Sequence, residues 1–480
     1  MPFRKLILFI NLIVFSTSCL AETEKLKIKK IVINGNNITK NETVLEHIAI
    51  KKNQVYSLEK LIKNIQTSEE NLSNLQIFND VEISFWYTQE DEIQIEIFLT
   101  ERWYLWPYPI FEISDRNFNS WYRDFKESNY EDWSKINYGI MLDWQNFRGA
   151  NELIKLKFRK GYKEHYNITY ISRSLGKNRS FFVESEIDFF RRKKTDYLIS
   201  NNQLQYLNND NDFTSTDLIA ELNLKNKKEF RISNSIFLKY HRCVVDNEIN
   251  MLNRMYLNSS NKNNIGSYFK LSYSFKNEQR DNIEYPLDGS LAEITLSKNF
   301  GIESNINNSE INLKLELHKN IYDKLFFGSS LKTKISSNNN TPYFYSLPVG
   351  FNDYIRSYEY YVISGNEYLI SKNIFKYQIF EKTKAEIPFF NKTQFKKSHY
   401  SMYVSLFCDV GYVMESERLA FEQRNNLSNS ILIGRGLSLD FITYYDKILR
   451  IEFSVNKLGE KGIFLHFSNP FGDTKVKRKK

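Results

Sequence analysis

A guanidinium set among phenols needs an anion. Arg356 stands in Ile355-Arg356-Ser357-Tyr358, with Tyr354, Tyr360 and Tyr361 close by, inside a connecting stretch from Leu347 to Gly365. One candidate carboxylate is Asp409, in Phe407-Cys408-Asp409-Val410-Gly411, where strand alternation puts Phe407, Asp409 and Gly411 on one face. An aspartate facing lipid is costly, so in a membrane strand that face must be the interior. The residues alone leave two arrangements open. Arg356 and Asp409 form a charge-assisted, bidentate contact that pins the connection to a strand, or each is hydrated separately in a wet lumen. Such a contact fixes geometry rather than adding stability, because desolvating both ions offsets much of their attraction.

No arrangement for making or breaking bonds accompanies this pair. Gly434-Arg435-Gly436 is a strand feature too short to cradle phosphate, and neither a Gly-x-Ser-x-Gly turn nor a paired-histidine helix motif stands out. His466 lies in an alternating segment and reads as a wall or lumen residue rather than a metal ligand. Cys243 and Cys408 are far apart without a pairing pattern, so free thiols are expected. The chain is therefore read as a non-enzyme with no catalytic residue, no metal and no cofactor.

The elements that must position Arg356 and Asp409 are legible in the composition. The 480 residues include 31 Tyr and 37 Phe but 17 Gly and 8 Pro. With so many aromatics, a mean hydropathy of −0.50 means that apolar residues interleave with polar ones instead of clustering. That is the composition of a β-barrel or β-sandwich. The net charge of +9 is concentrated in the first residues and in the tail after Asp473, so no nucleic-acid partner is inferred.

Residues 1–21 have the order of an export signal: Arg4 and Lys5, a run from Leu6 to Phe15 that is apolar except for Asn11, then small residues. Cleavage after Ala21 fits, and Cys19 offers a lipoprotein-type alternative. Beyond this segment no apolar run approaches the roughly 20 residues of a membrane helix, so a membrane form must be a closed barrel. Residues 25–101 read as a compact β-α-α-β-β unit. A strand slips phase between Leu26/Ile28 and Ile31/Ile33, helices occupy 41–50 and 57–75, and two alternating strands run over Val81–Tyr87 and Ile93–Leu99. Such a sheet has a free edge to which an extended peptide can add, although a domain that merely spaces the barrel has the same pattern.

Residues 102–135 begin with an aromatic connector, Trp103 to Phe118, suited to a membrane interface, and continue as a loop or short helix. From 136 to 471, alternating segments separated by polar turns predict a barrel. They fall at 136–144, 152–160, 164–173, 180–190, 197–206, 213–225, 229–241, 265–277, 289–299, 308–319, 323–335, 366–380, 399–413, 429–440, 446–456 and 460–468, sixteen in all. A basic tail occupies 472–480.

The first unit, with Ile77-Phe78-Asn79-Asp80-Val81 and Leu99-Thr100-Glu101, resembles a single polypeptide-transport-associated (POTRA) domain. The chain beyond it is similar to the barrel of the BamA/TamA-type outer-membrane assembly factors, a superfamily with a surface-antigen-type sixteen-stranded β-barrel. The resemblance spans nearly the whole chain after residue 21 and rests on order and spacing. It implies an outer-membrane barrel with a periplasmic POTRA domain. Ile355-Arg356-Ser357-Tyr358 then matches the Val-Arg-Gly-Phe/Tyr motif of the long sixth loop, which folds back so that its arginine meets an aspartate on the inner wall, here Asp409 between Phe407 and Gly411. Serine stands at 357 where the family has glycine, which predicts strain if that position has positive φ. Gly462, Leu465 and Phe467 match a C-terminal assembly signal, although the chain continues past it through Pro470 and Phe471.

The implied partners are unfolded outer-membrane or secreted client proteins, outer-membrane lipids and accessory periplasmic proteins. The implied task is insertion or translocation of clients, with a weak seam between strands 136–144 and 460–467. A passive pore or two-partner-type secretion transporter is the alternative, and a barrel-embedded lipid enzyme is a third reading.

Overall fold

The computed structural model describes residues 25–89, 91–175, 181–209, 212–227, 231–259, 264–338, 341–386, 397–416, 423–443, 447–468 and 471. The expected leader with Cys19 and the basic tail lie outside this set. Two compact units divide the chain, Met1–Glu101 and Arg102–Lys480.

In the first unit, β1 (Lys25–Asn34), α1 (Asn41–Leu45), β2 (Val55–Ser57), α2 (Leu58–Ser73), β3 (Phe78–Gln89) and β4 (Glu92–Glu101) succeed one another. The sheet order is β2-β1-β4-β3, with β1 parallel to β4. The phase slip in β1 is a bulge between Ile28 and Lys30, which keeps both halves of the strand in register with β4. Alternation then buries Leu26 and Ile28 of β1 and Ile93, Ile95 and Ile97 of β4, and Leu61 and Leu72 of α2 are buried as well. Two details differ from the expected pattern. A three-residue strand, β2, adds a fourth sheet member, and α1 ends at Leu45 rather than at residue 50. Ser57 caps α2 by accepting from the Lys60 N–H at 3.4 Å. The long outer edge belongs to β3, where the Ile83 N–H donates to Glu69 Oε1 at 2.9 Å and Trp86 and Tyr87 are exposed.

In the second unit the strands are β5 (Leu105–Ile113), β6 (Ile136–Phe147), β7 (Glu152–Gly161), β8 (Lys163–Leu175), β9 (Phe181–Arg192), β10 (Lys194–Ser200), β11 (Gln203–Asn208), β12 (Ser215–Lys227), β13 (Ile232–Val245), β14 (Ile265–Glu278), β15 (Gly289–Gly301), β16 (Asn307–Tyr322), β17 (Leu325–Ser336), β18 (Glu367–Glu386), β19 (Lys397–Met414), β20 (Ile431–Thr443), β21 (Lys447–Asn456) and β22 (Lys461–His466). Helix α3 (Phe118–Glu127) lies between β5 and β6, and α4 (Asn247–Leu252) between β13 and β14. All of these strands except β10 and β11 form one 16-stranded antiparallel sheet, ordered along the chain from β5 to β22. Among the described residues no helix is long and apolar enough to cross a membrane.

The strand total agrees with expectation because two errors offset. The expected connector contains β5, the first barrel strand, so the barrel begins at Leu105 and Ile136–Phe147 is its second strand. Pro107 and Pro109 disguise β5 in the sequence. Tyr104 O accepts from Gln145 N at 2.7 Å, so the even residues of β5 bond to β6 and the two prolines present their missing N–H groups to the free edge. The expected strand over 197–206 is instead a hairpin of β10 and β11, which pair only with each other. Its turn, Asn201-Asn202, has positive φ at both residues, the geometry of a type I′ turn.

Burial in this sheet is inverted relative to a water-soluble core. On β21, Leu449, Ile451 and Phe453 are exposed while Arg450, Glu452 and Ser454 are fully buried. An apolar outside and a polar inside are what a barrel in lipid requires. The long connections 114–135, 193–214, 246–264, 337–366 and 415–430 all come after odd-numbered barrel strands, so antiparallel order gathers them at one end.

Candidate functional site at the inner loop and the barrel seam

The connection 337–366 joins the eleventh and twelfth barrel strands, β17 and β18, and sends Arg356 into the interior, where it is fully buried. Asp409 lies on β19, the thirteenth strand, facing inward with no exposed surface. Arg356 Nε donates to Asp409 Oδ2 at 2.8 Å, its backbone N–H donates to the same oxygen at 3.1 Å, and Nη2 donates to Oδ1. The guanidinium also lies 3.9 Å from the centroid of Phe407. Arg356, Phe407 and Asp409 thus meet as one unit, a fork-to-fork ion pair backed by a ring.

Two inward glycines make room for the loop. A Cβ on Gly411 would stand 2.2 Å from Ile355 Cδ1, and one on Gly434 would stand 1.9 Å from the Arg356 carbonyl oxygen. Gly434 has no visible role in the sequence, where Gly-Arg-Gly prompts only the thought of a phosphate cradle. Two glycines at strand spacing signal close backbone approach. Ser357 takes φ +76° at the glycine position of the motif, and its buried Oγ has no hydrogen-bond partner among the described residues. The neighbouring Tyr358 hydroxyl accepts from Ile433 N and Lys457 N, both at 3.2 Å, while Asn456 Nδ2 donates to Ser357 O at 3.3 Å. The left-handed turn is therefore held from three strands and loops at once.

Beside the pair lies a second buried network that the sequence does not reveal, because its members come from three separate segments. Glu359 of the loop, Glu452 of β21 and His466 of β22 bring their donor atoms within 4.8 Å of one another. Burial pushes the Glu359 carboxyl above its ordinary value. This donor set fits a divalent cation poorly, since the Arg450 guanidinium already stands 2.7 Å from Glu452 and supplies positive charge. Tyr354 stacks on His466 at 5.6 Å and accepts from Arg450 Nη2 at 3.1 Å, tying the loop to the last two strands.

The last strand is the edge of the sheet. Leu465 lies within β22, Gly462 near its start, and Phe467 just beyond it, exposed. Among the described residues no ladder joins β22 to β5. Phe471 packs with Ile374 and Phe407, and its ring lies 5.1 Å from that of His318. Elsewhere in the interior, a cavity of about 530 Å³ is lined by mixed charge, including Lys157, Arg159, Asp188 and Arg192. Among the described residues Cys243 and Cys408 form no disulfide, and the first is buried and the second exposed.

At the seam, α3 faces the loop. Arg116 donates to the carbonyls of Glu359 (3.1 Å), Tyr360 (2.7 Å) and Tyr361 (2.7 Å), and Asn117 and Ser120 each donate to Glu359 O at 2.9 Å. Asn119 reaches the edge of β22 itself: Leu465 N donates to its Oδ1 at 2.9 Å and its Nδ2 donates to Leu465 O at 3.2 Å.

Residues 146–455 match the family model described as the Omp85 superfamily domain, and residues 26–102 match POTRA, described as a surface antigen variable number repeat. Among solved structures the chain is similar to CdiB from Escherichia coli, with TM-score 0.54 and 10% identity over 92% of this chain and 75% of that one. It is also similar to BamA from Haemophilus ducreyi lacking POTRA domains 1-3, with TM-score 0.50 and 14% identity over 92% and 84% of the two chains. No curated protein sequence matches significantly.

Proposed function

The chain belongs to the Omp85 superfamily, and from that premise we propose that it works in the bacterial outer membrane as an assembly or translocation barrel for β-rich client proteins, with its POTRA domain in the periplasm. One observation carries this reading. Ladders run without a break from β5 to β22, yet among the described residues those two edge strands share none. A barrel that only conducts gains from closing its last pair, because an open edge in lipid leaves backbone groups unsatisfied. A barrel that receives a strand needs that edge. The outer edge of β3 in the POTRA unit, beyond the Ile83 N–H held by Glu69, offers a second docking place for an extended client, with Trp86 and Tyr87 beside it. Folding of the client supplies the driving force, and no catalytic step is required.

The loop bearing Arg356 favours this reading over a passive pore, since it occupies the interior and is bolted there. Photo-crosslinkers placed at Phe111 of β5 and Ile463 of β22, both exposed, should trap unfolded clients during their expression. Large ohmic conductance in planar bilayers, with no client adduct from either strand, would instead identify a pore.

A further inference from the structure

We infer that the segment 114–135 is a latch on the seam, in which Asn119 stands in for a missing β-strand and must be withdrawn before a client strand can add to β22. This rests on the strand-addition reading above and names its regulation.

In the β21–β22 ladder, Leu465 sits opposite Ile451. Its N–H and C=O are both taken by the Asn119 amide. A primary amide offers one donor and one acceptor side by side, the same pair a neighbouring strand presents at one rung. Asn119 is 5% exposed, so the arrangement is sheltered from water. The other edge of the seam is blunted differently, by the two missing N–H groups of Pro107 and Pro109 on β5. Both edges are thus kept from pairing, one by covalent structure and one by a removable side chain.

The latch has an anchorage. Arg116, Asn117 and Ser120 direct five hydrogen bonds at three successive carbonyls of the inner loop. The far end of the segment is held by Lys135, which bonds Asp115 at 2.9 Å and Asp124 at 2.7 Å. Trp121 and Phe125 stack at 4.8 Å on the buried face of α3. Since the Asn119 latch is seated on the loop that carries Arg356, movement of that loop and release of the β22 edge are mechanically linked.

The test uses full-length protein in phospholipid nanodiscs and, as probe, a proline-free synthetic peptide of residues 136–147 carrying a photo-crosslinker. Capture of the peptide on β22 is measured for the wild type, for Asn119→Ala, and for Arg116→Ala, which leaves Asn119 intact but frees its anchorage. Hydrogen exchange at Leu465 is monitored in parallel. Both variants should capture roughly tenfold more peptide than the wild type, the factor expected from losing one or two hydrogen bonds of ordinary net strength. The Leu465 amide should exchange faster in both. Equal capture by all three proteins overturns the latch. If that common level is high, strand addition stands without a latch; if it is nil, strand addition at β22 falls as well.

Discussion

Arg356 is fully buried against the Asp409 carboxylate, so its removal leaves Asp409 inside the barrel without its ion-pair partner. Arg356→Ala should cost about 3–5 kcal/mol, the usual penalty for breaking a buried pair, and expose the connection 337–366 to protease. Exchanging the two residues, as Arg356→Asp with Asp409→Arg, should restore part of the protection. Unchanged protease sensitivity in Arg356→Ala would remove the loop-pinning role. At Ser357 the expected strain has a definite form, φ +76°. Left-handed backbone costs an L-residue about 1–2 kcal/mol, and glycine's greater freedom when unfolded takes part of that back. Ser357→Gly should therefore raise stability by roughly 0.5–1 kcal/mol, seen as a higher midpoint in detergent unfolding. A lower midpoint would mean that the serine hydroxyl has a partner after all.

At the scale of elements, the β10–β11 hairpin acts through its turn. Asn202 accepts from Leu427 N at 3.2 Å, donates to Asn426 Oδ1 at 2.6 Å and accepts through its carbonyl from Val362 N at 2.9 Å. One residue thus clasps the inner loop to the connection 415–430. Asn202→Ala should destabilise the clasp by roughly 1–3 kcal/mol, the cost of leaving buried partners unsatisfied, and speed hydrogen exchange at Leu427. No change there would mean that the hairpin packs without clasping. For α3, burial raises the Asp124 carboxyl, but hydrogen bonding and charge from Lys135, with Arg123, outweigh it and the net shift is downward. A depressed folded pKa contributes stability that is whole above the unfolded value of about 3.9 and is lost as pH falls through the folded one. Protease resistance of 114–135 should accordingly hold at neutral pH and decline only in strong acid. Lys135→Met should weaken that pH dependence, leaving the part that Arg123 supplies.

For the whole molecule, a sheet with two unpaired edges should open from those edges. Hydrogen exchange should find β22 least protected and the β14–β15 ladder, midway round the sheet, most protected, in order of distance from the seam. Equal protection around the barrel would show that β5 and β22 close in solution, and the strand-addition reading would lose its main support. The inverted burial pattern bears on handling too. Leucines and phenylalanines on the outer face remain exposed without lipid, so stability should depend on detergent or bilayer in a way the first unit's does not.

Much of the fold is open to reading from the chain alone, for a physical reason. Alternation of apolar and polar residues is a local pattern with period two, and it identifies the barrel, most of its strands and the inward face of Phe407, Asp409 and Gly411. The β1 bulge appears as a phase slip for the same reason. Pairing across space is not local. Arg356 and Asp409 come together as expected partners through family resemblance, whereas their geometry, and the reason for Gly434, depend on how the loop enters the lumen. Pro107 and Pro109 read as linker until the ladder shows which edge they face. Asn119 among polar residues carries no signal of its own, and it acquires meaning only because the fold sets its amide against the unpaired rung at Leu465. The sequence by itself determined which residues face lipid and which face the interior; tertiary structure alone decided where the sheet ends and what occupies that end, because both depend on which strands fail to pair.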